Sequence, residues 1–250
     1  MGSNYPDFGA LSASIDRCAA AYAPDDGTAR RNFARLGCNL LGRYCNDSHQ
    51  AVALRAGGRA TITLAGTRLD GSVAEAAGDL IADLDFSPLE VRAGRVAAGA
   101  HHGLGSVFSW ALGLFKAGEP VDVEGHSLGG QRTLLAPLWL PAARIGRMTA
   151  WEPPKAADDR FYHDFMITPG VPCTTVLNGA DPWAAWPWFD SDLLHPPGPI
   201  LHLRDGTWSW TTRDRWTASP WAAEDHEAGA VQRAVSGCID RASLAKVMAS

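Results

Sequence analysis

Apolar residues near the start of the chain recur at helical spacing and predict two helices. In residues 8–22 they stand three or four positions apart and follow Asp7, and in residues 33–44 they follow Thr28, a candidate N-cap residue. We therefore expect residues 1–50 to form an N-terminal helical segment.

After this segment, short β-branched or apolar runs alternate with helical patterns. Strands are predicted at residues 59–65, 96–101, 121–124, 148–151, 174–177 and 200–203. Helices are predicted at residues 73–84, 104–117, 128–140, 158–165 and 224–235. Strands that alternate with helices imply βαβ units. We therefore predict an α/β fold in which helices flank a mostly parallel central sheet, with a single domain over residues 1–250 and its core at 59–236.

The composition narrows the class of partner. The 250 residues are 46% apolar and 20% charged, with a net charge of −5 and no basic run, so a nucleic-acid partner is not expected. No apolar stretch approaches the length of a membrane span, although this leaves transient contact with a lipid surface open. The first residues show no signal-peptide pattern, and the localisation stays open between the cytoplasm and export by another route.

Cysteine and tryptophan usage each leave two interpretations. Cys18, Cys38 and Cys45 fall in the predicted helical segment and are either small buried apolar residues or partners in a disulfide. Ten tryptophans are many for this length, and they form either an apolar substrate surface or an aromatic core.

The segment Gly125-His126-Ser127-Leu128-Gly129 matches the G-x-S-x-G pattern, with a predicted strand before it and a predicted helix after it. In that context the serine lies in a tight strand-to-helix turn that exposes its hydroxyl as a nucleophile, and the flanking glycines let neighbouring backbone approach. We expect His126 to face away from the serine in a structural role.

This segment and several others resemble the class 3 (fungal-type) triacylglycerol lipase family. The likeness extends over Glu124–Gly130, Leu64–Thr67, Asp83–Phe86, His101–Leu104 and Ala150–Lys155. Leu104 departs from the family's usual aromatic residue, and Trp151-Glu152 departs from its usual Phe-Gly. The resemblance implies the α/β-hydrolase fold and hydrolysis of carboxylic esters without a cofactor or a metal ion.

A serine nucleophile needs a carboxylate and a histidine, which follow it in that order in this fold. Asp181 follows the predicted strand 174–177 on a tight loop and is our candidate acid, since its segment also resembles the family's acid loop. The alternatives are Asp190, Asp192 and Asp205.

His226 is our candidate base, because it begins the last predicted helix in an Asp-His pair that resembles the family's C-terminal segment. The alternatives are His195 and His202. We expect the oxyanion hole to consist of the backbone N–H groups of Leu128 and Thr67.

The expected reaction is hydrolysis of a small-molecule or lipid ester through an acyl-enzyme. A phospholipase, a thioesterase, an amidase and a non-catalytic ester-binding module remain alternatives, because the triad alone does not set specificity. Whether residues 68–86 act as a lid also stays open.

Overall fold

The computed structural model describes residues 5–66, 85–188 and 192–248. The predicted helix at 73–84 and the candidate oxyanion residue Thr67 lie outside these ranges, as does most of the segment considered as a lid. Among the described helices, none is both long enough and apolar enough to cross a bilayer.

Eight strands form the main sheet, in the order β1-β2-β3-β6-β7-β8-β9-β10. Their bounds are Asn39–Cys45 (β1), Gln50–Ala56 (β2), Arg59–Leu64 (β3), Val121–His126 (β6), Ile145–Trp151 (β7), Cys173–Asn178 (β8), Ile200–Arg204 (β9) and Thr207–Thr211 (β10). The strands β4 (Pro88–Glu90) and β5 (Arg95–Ala97) form a separate antiparallel pair.

The central strands β3, β6, β7, β8 and β9 run parallel, whereas the pairs at both edges are antiparallel. The predicted α/β fold with a mostly parallel sheet is therefore confirmed. Parallel strands bring their carboxyl ends to one edge of the sheet, where the loops after β6, β7 and β8 meet.

Helices cover both faces of this sheet. Their bounds are Phe8–Ala21 (α1), Asp26–Arg35 (α2), Ala98–His101 (α3), Leu104–Leu112 (α4), Leu128–Leu134 (α5), Asp159–Tyr162 (α6) and Ala228–Met248 (α7). Shorter helical segments are the 3-10 turns Ala136–Leu138, Ala142–Arg144 and Ala223–His226 and the π-helical turn His163–Ile167.

The alternation along β2 shows how the two layers are divided. Ala51 and Ala53 pack into the core beneath α4 and α5, whereas Val52 and Leu54 pack into the core beneath α1 and α2. The layer of α4 and α5 also covers one side of β6. On the opposite side of the sheet, α1 and α7 cover β7, β8 and β9. Both faces are buried, which is the usual state of a parallel sheet.

The second predicted N-terminal helix is wrong beyond Arg35. The chain caps α2 at Leu36, turns at Gly37 with φ +67°, and continues as β1. The N-cap is Asp25, whose Oδ1 accepts a hydrogen bond from Thr28 N at 2.8 Å, rather than Thr28 itself. Residues 1–50 are therefore not a helical segment throughout.

Other element boundaries also need correction. The predicted strand at 96–101 ends at Ala97, after which α3 begins. The antiparallel strands β2 and β10 were not predicted. All five cysteines are free thiols, so the disulfide considered among Cys18, Cys38 and Cys45 is wrong.

Candidate active site

Ser127 lies in the tight turn between β6 and α5, as its motif predicts. Its φ is +60°, a conformation that costs free energy for a non-glycine residue and marks a strained turn. A Cβ atom at Gly129 would collide with the backbone of Leu64, and one at Gly125 would collide with the backbone of Gly129. The glycines therefore permit β3, β6 and α5 to approach closely enough to form the turn.

Asp181 lies on the loop that follows β8 and is fully buried. Its Oδ1 accepts a hydrogen bond from Trp183 N at 2.8 Å, and its Oδ2 accepts one from Ala184 N at 3.3 Å. These backbone donors fix the orientation of the carboxylate.

His226 is the last residue of the 3-10 turn that precedes α7. The residue before it ties this turn to the loop after β8. Asp225 Oδ2 accepts a hydrogen bond from Ala180 N at 2.9 Å, and Asn178 Nδ2 donates to the Asp225 carbonyl at 2.9 Å. The candidate base and the candidate acid are therefore held on two segments that are hydrogen-bonded to each other.

The three candidate residues come together in one hydrogen-bonded chain. His226 Nε2 is 2.7 Å from Ser127 Oγ, and His226 Nδ1 is 2.7 Å from Asp181 Oδ2. Since the Asp181 carboxylate only accepts, Nδ1 carries the imidazole proton and Nε2 is free to accept one from the Ser127 hydroxyl. This is the order of groups that activates a serine nucleophile.

The alternative bases and acids are engaged elsewhere. His195 Nε2 lies 2.9 Å from the Ala184 carbonyl oxygen, and His202 Nε2 lies 2.6 Å from that of Gly179. Asp192 pairs with Arg95, and Asp205 occupies the turn between β9 and β10 with φ +51°. The remaining alternative acid, at position 190, lies outside the described residues.

Of the two predicted oxyanion donors, only Leu128 lies within the described residues. Leu128 is the first residue of α5, so its backbone N–H has no partner inside that helix. The other predicted donor, Thr67, follows Gly66 directly. A Cβ atom at Gly66 would approach Ser127 Cβ to 2.9 Å, so the end of β3 lies against the nucleophile.

A second hydrogen-bond network runs behind the nucleophile. The Gly66 backbone N–H donates to Tyr22 Oη at 2.9 Å, and Tyr22 Oη is 3.0 Å from His126 Nδ1. Burial, and then the nearby His226, lower the pKa of His126 to about 3, so this ring is neutral. Its Nε2 therefore donates to the His226 carbonyl at 2.8 Å, and its Nδ1 accepts from Tyr22. No sequence pattern indicates the part that Tyr22 plays.

Glu152 is a further carboxyl group beside the hydrogen-bonded chain of Ser127, His226 and Asp181, and the sequence did not predict its place there. It directly follows β7, is 0% exposed and has φ +45°. Its Oε2 lies 3.9 Å from His226 Nδ1 and 3.4 Å from His126 Nε2. Burial, and then the charge of Asp181, raise the pKa of Glu152 well above its ordinary value. The only sequence signal was its departure from the Phe-Gly of the resembling family.

The donor atoms of His126, Glu152 and His226 all lie within 4.8 Å of one another, a spacing that a metal ion could bridge. The four ring nitrogens already form hydrogen bonds, however, to Tyr22, Ser127, Asp181 and a carbonyl. A metal ion would have to replace these bonds. The contacts therefore favour a hydrogen-bonded cluster at this position.

Aromatic side chains follow Asp181 along its loop. The Trp183 ring meets the His226 ring edge-to-face at 6.5 Å, and Trp188 lies 6.4 Å from Trp183 and 4.8 Å from Trp186. Trp188 is 52% exposed. The loop therefore forms an aromatic cluster that extends from the buried Trp183 beside the imidazole to the exposed Trp188.

The fold is similar to that of solved fungal lipases. Lipase II from Rhizopus niveus matches with a TM-score of 0.66 and 19% identity, over 88% of this chain and 92% of the lipase. The triacylglyceride lipase of Rhizomucor miehei gives 0.69 and 20%, over 87% and 92%. The lipase from Rhizopus microsporus var. chinensis gives 0.60 and 18%, over 88% and 85%. The predicted α/β-hydrolase fold is confirmed by these likenesses.

No protein-family model and no curated protein sequence matches the chain. The likeness to the lipases is therefore one of three-dimensional structure at low sequence identity. What this chain does has to be argued from its own site.

Proposed function

We propose that this protein is a serine hydrolase that cleaves carboxylic esters, with Ser127 as nucleophile, His226 as base and Asp181 as the acid that orients it. The observation that carries the proposal is the unbroken hydrogen-bonded chain from Ser127 Oγ through both nitrogens of His226 to Asp181 Oδ2. The strained turn at Ser127 and the similarity in fold to the fungal lipases support it.

The geometry suits a two-step acyl transfer. His226 Nε2 removes the hydroxyl proton as Ser127 Oγ attacks the ester carbonyl, and Asp181 stabilises the resulting imidazolium. Collapse of the tetrahedral intermediate breaks the ester C–O bond, and the leaving alcohol takes the proton from His226. Water then attacks the acyl-enzyme with the same base, which releases the acid and restores Ser127.

The negative charge of the tetrahedral intermediate needs backbone donors. We assign one donor to the Leu128 N–H at the start of α5, where the helix dipole adds to the effect. The second donor in this proposal is Thr67, which follows the buried Gly66.

Replacement of Ser127 by Ala tests the proposal. We expect hydrolysis of a p-nitrophenyl ester to fall at least 10³-fold, since the nucleophile is lost, while the circular dichroism spectrum and the unfolding midpoint stay close to wild type. The matched control is Ser109→Ala on an exposed position of α4, which should keep wild-type activity. In parallel, a fluorophosphonate should add once to the wild-type chain, at Ser127, as determined by mass spectrometry of peptides.

Ser127→Ala with wild-type turnover would contradict the assignment. A wild-type chain that neither reacts with the fluorophosphonate nor hydrolyses any ester would instead favour the alternative of a non-catalytic ester-binding module.

The apolar surface around Trp183 and Trp188 favours esters with an apolar acyl or alcohol group over charged ones. Matched series of short- and long-chain esters, thioesters, amides and phospholipids separate a lipase or esterase from a thioesterase, amidase or phospholipase. We expect carboxylic esters to have the highest kcat/KM.

A further inference from the structure

Glu152 places a second carboxyl group next to the acid of the proposed triad, in surroundings that decide its protonation state. Asn178 N donates to Glu152 Oε1 at 3.3 Å, so this oxygen acts as an acceptor. No donor among the described residues satisfies Oε2. The His126 Nε2–H group is 3.4 Å away and donates to the His226 carbonyl instead.

An ionised Glu152 would thus leave a buried negative oxygen without a donor, beside the negative charge of Asp181. Burial of a charge in that state is strongly unfavourable. With a proton on Oε2 the same oxygen becomes a donor, and the Asp181 carboxylate is the neighbouring acceptor, because His226 Nδ1 lies 2.7 Å from Asp181 Oδ2 and 3.9 Å from Glu152 Oε2.

The backbone at this position adds an independent observation. Glu152 adopts φ +45°, a region that glycine occupies without cost and that other residues rarely adopt. Its N–H donates to the Val176 carbonyl at 2.8 Å, which joins it to β8 just before the acid loop. A strained conformation thus directs a carboxyl group at the acid of the site, and such outliers point to function.

We propose that Glu152 is a positioning residue, a carboxylic acid that donates its proton to the Asp181 carboxylate and so extends the chain to Ser127–His226–Asp181–Glu152. This hydrogen bond fixes Asp181 in the orientation that receives the His226 Nδ1 proton. It also draws charge away from Asp181 without neutralising it. The inference rests on the proposed function for its kinetic consequences, whereas the hydrogen bond itself does not depend on turnover.

The ionisable groups around Glu152 come from four other parts of the fold: Asp181 after β8, Asp225 and His226 in the 3-10 turn, His126 at the end of β6, and Tyr22 after α1. Two of these neighbours are acidic, and burial and the charge of Asp181 both raise the pKa of Glu152. When the pH rises above this raised pKa, Glu152 loses its proton, and the donor to Asp181 is replaced by a repelling charge. Activity should therefore fall on the alkaline side.

Two variants of similar size separate positioning from packing. Glu152→Gln keeps an N–H donor toward Asp181 and an acceptor for Asn178, but it cannot ionise. Glu152→Met fills the space without a donor. We expect Glu152→Gln to keep kcat within about threefold and to lose the alkaline fall. We expect Glu152→Met to lose kcat about tenfold or more with KM changed less than twofold.

A readout without turnover tests the hydrogen bond directly. The infrared difference spectrum of wild type against Glu152→Gln at neutral pH should contain the carbonyl band of a protonated carboxylic acid. The NMR signal of the His226 Nδ1 proton should move at alkaline pH in wild type but not in Glu152→Gln.

Absence of the acid band would overturn the proposal, as would a Glu152→Met variant with wild-type kcat or equal losses in both variants. If Ser127→Ala kept activity, the proposed function would fail, while the two spectroscopic results would still decide the state of Glu152.

Discussion

The Asp181 carboxylate accepts two backbone hydrogen bonds besides the one from His226. Backbone donors remain in place when the side chain changes, so an amide at this position should occupy nearly the same space. What changes is the direction of the bond to the imidazole. An amide N–H facing Nδ1 forces the ring proton onto Nε2, where it blocks acceptance of the Ser127 proton.

Asp181→Asn should therefore lower kcat by about 10³- to 10⁴-fold, with KM changed less than about threefold and the fold intact. Steady-state kinetics on a p-nitrophenyl ester measure this. The matched control is Asp192→Asn, at an exposed carboxylate that pairs with Arg95 outside the site. Retention of a tenth of wild-type kcat by Asp181→Asn would mean that another group orients the base.

How far single residues could be predicted depends on whether their neighbours are local. Ser127 was predictable because its motif lies within five residues, and Asp181 and His226 because chain order restricts their positions. The role of Glu152 could not be predicted in this way, because residues of β7, β8 and the 3-10 turn together form its environment. No local pattern indicates that a glutamate is fully buried at positive φ.

At the scale of elements, the C-terminal end of α1 supports the site through hydrogen bonds. The hydroxyl of Tyr22, at the C-terminal end of α1, accepts a hydrogen bond from the Gly66 N–H just after β3 and lies 3.0 Å from Nδ1 of His126, the last residue of β6. One hydroxyl group thus connects a helix with the ends of two adjacent parallel strands. Between those ends lie the nucleophile and the residue before the predicted oxyanion donor.

Tyr22→Phe should remove these hydrogen bonds while it keeps the aromatic ring. The Gly66 N–H and His126 Nδ1 then lose their partner, which costs about 1–3 kcal/mol of unfolding free energy. We expect kcat to fall about tenfold because the end of β3 shifts relative to Ser127. Urea unfolding and ester kinetics measure the two effects.

Tyr44→Phe, on β1, is the control for this change. Among the described residues, the Tyr44 hydroxyl has one long hydrogen bond, which it accepts from Asn46 Nδ2 at 3.4 Å. The substitution should leave both quantities within error. If Tyr22→Phe destabilised the protein but left kcat unchanged, α1 would support the fold without positioning the site.

The failure at β1 shows where element prediction from sequence reached its limit. Residues 33–44 have helical spacing, but Gly37 at φ +67° ends α2, as a glycine after a helix often does. That glycine was a readable signal. The sequence signal for β2 is weaker, because this strand is apolar on both faces and rich in alanine. Only its burial between two helix layers makes it a strand.

At the scale of the whole molecule, the fold buries histidines as neutral rings. Burial lowers the pKa of His126 to about 3 and that of His195 to about 4, from the ordinary value of 6.5. Both rings are nearly inaccessible, with exposed fractions of 4% and 3%. The folded state therefore binds fewer protons at these positions than the unfolded chain does below pH 6.5.

This difference fixes the sign of the pH dependence. Stability from the two rings is fully present above about pH 6.5, and it falls as the pH decreases toward the folded-state pKa values. Each ring contributes a slope of about 1.4 kcal/mol per pH unit once the unfolded form is protonated. These two rings should thus lower the unfolding free energy by up to about 2.7 kcal/mol per pH unit between pH ~5.5 and pH ~4.5, and His49, whose pKa is lowered by burial to about 4, adds to the same acid slope.

Urea unfolding measured from pH 7 to pH 4.5 tests this, with His195→Gln as the informative variant. A glutamine amide can still donate to the Ala184 carbonyl, yet it takes up no proton, so the acid slope should fall by up to about 1.4 kcal/mol per pH unit. His163→Gln, at an exposed histidine, is the matched control and should leave the slope unchanged. A wild-type unfolding free energy that stays level from pH 6.5 to 4.5 would show that these rings take up protons without unfolding the chain.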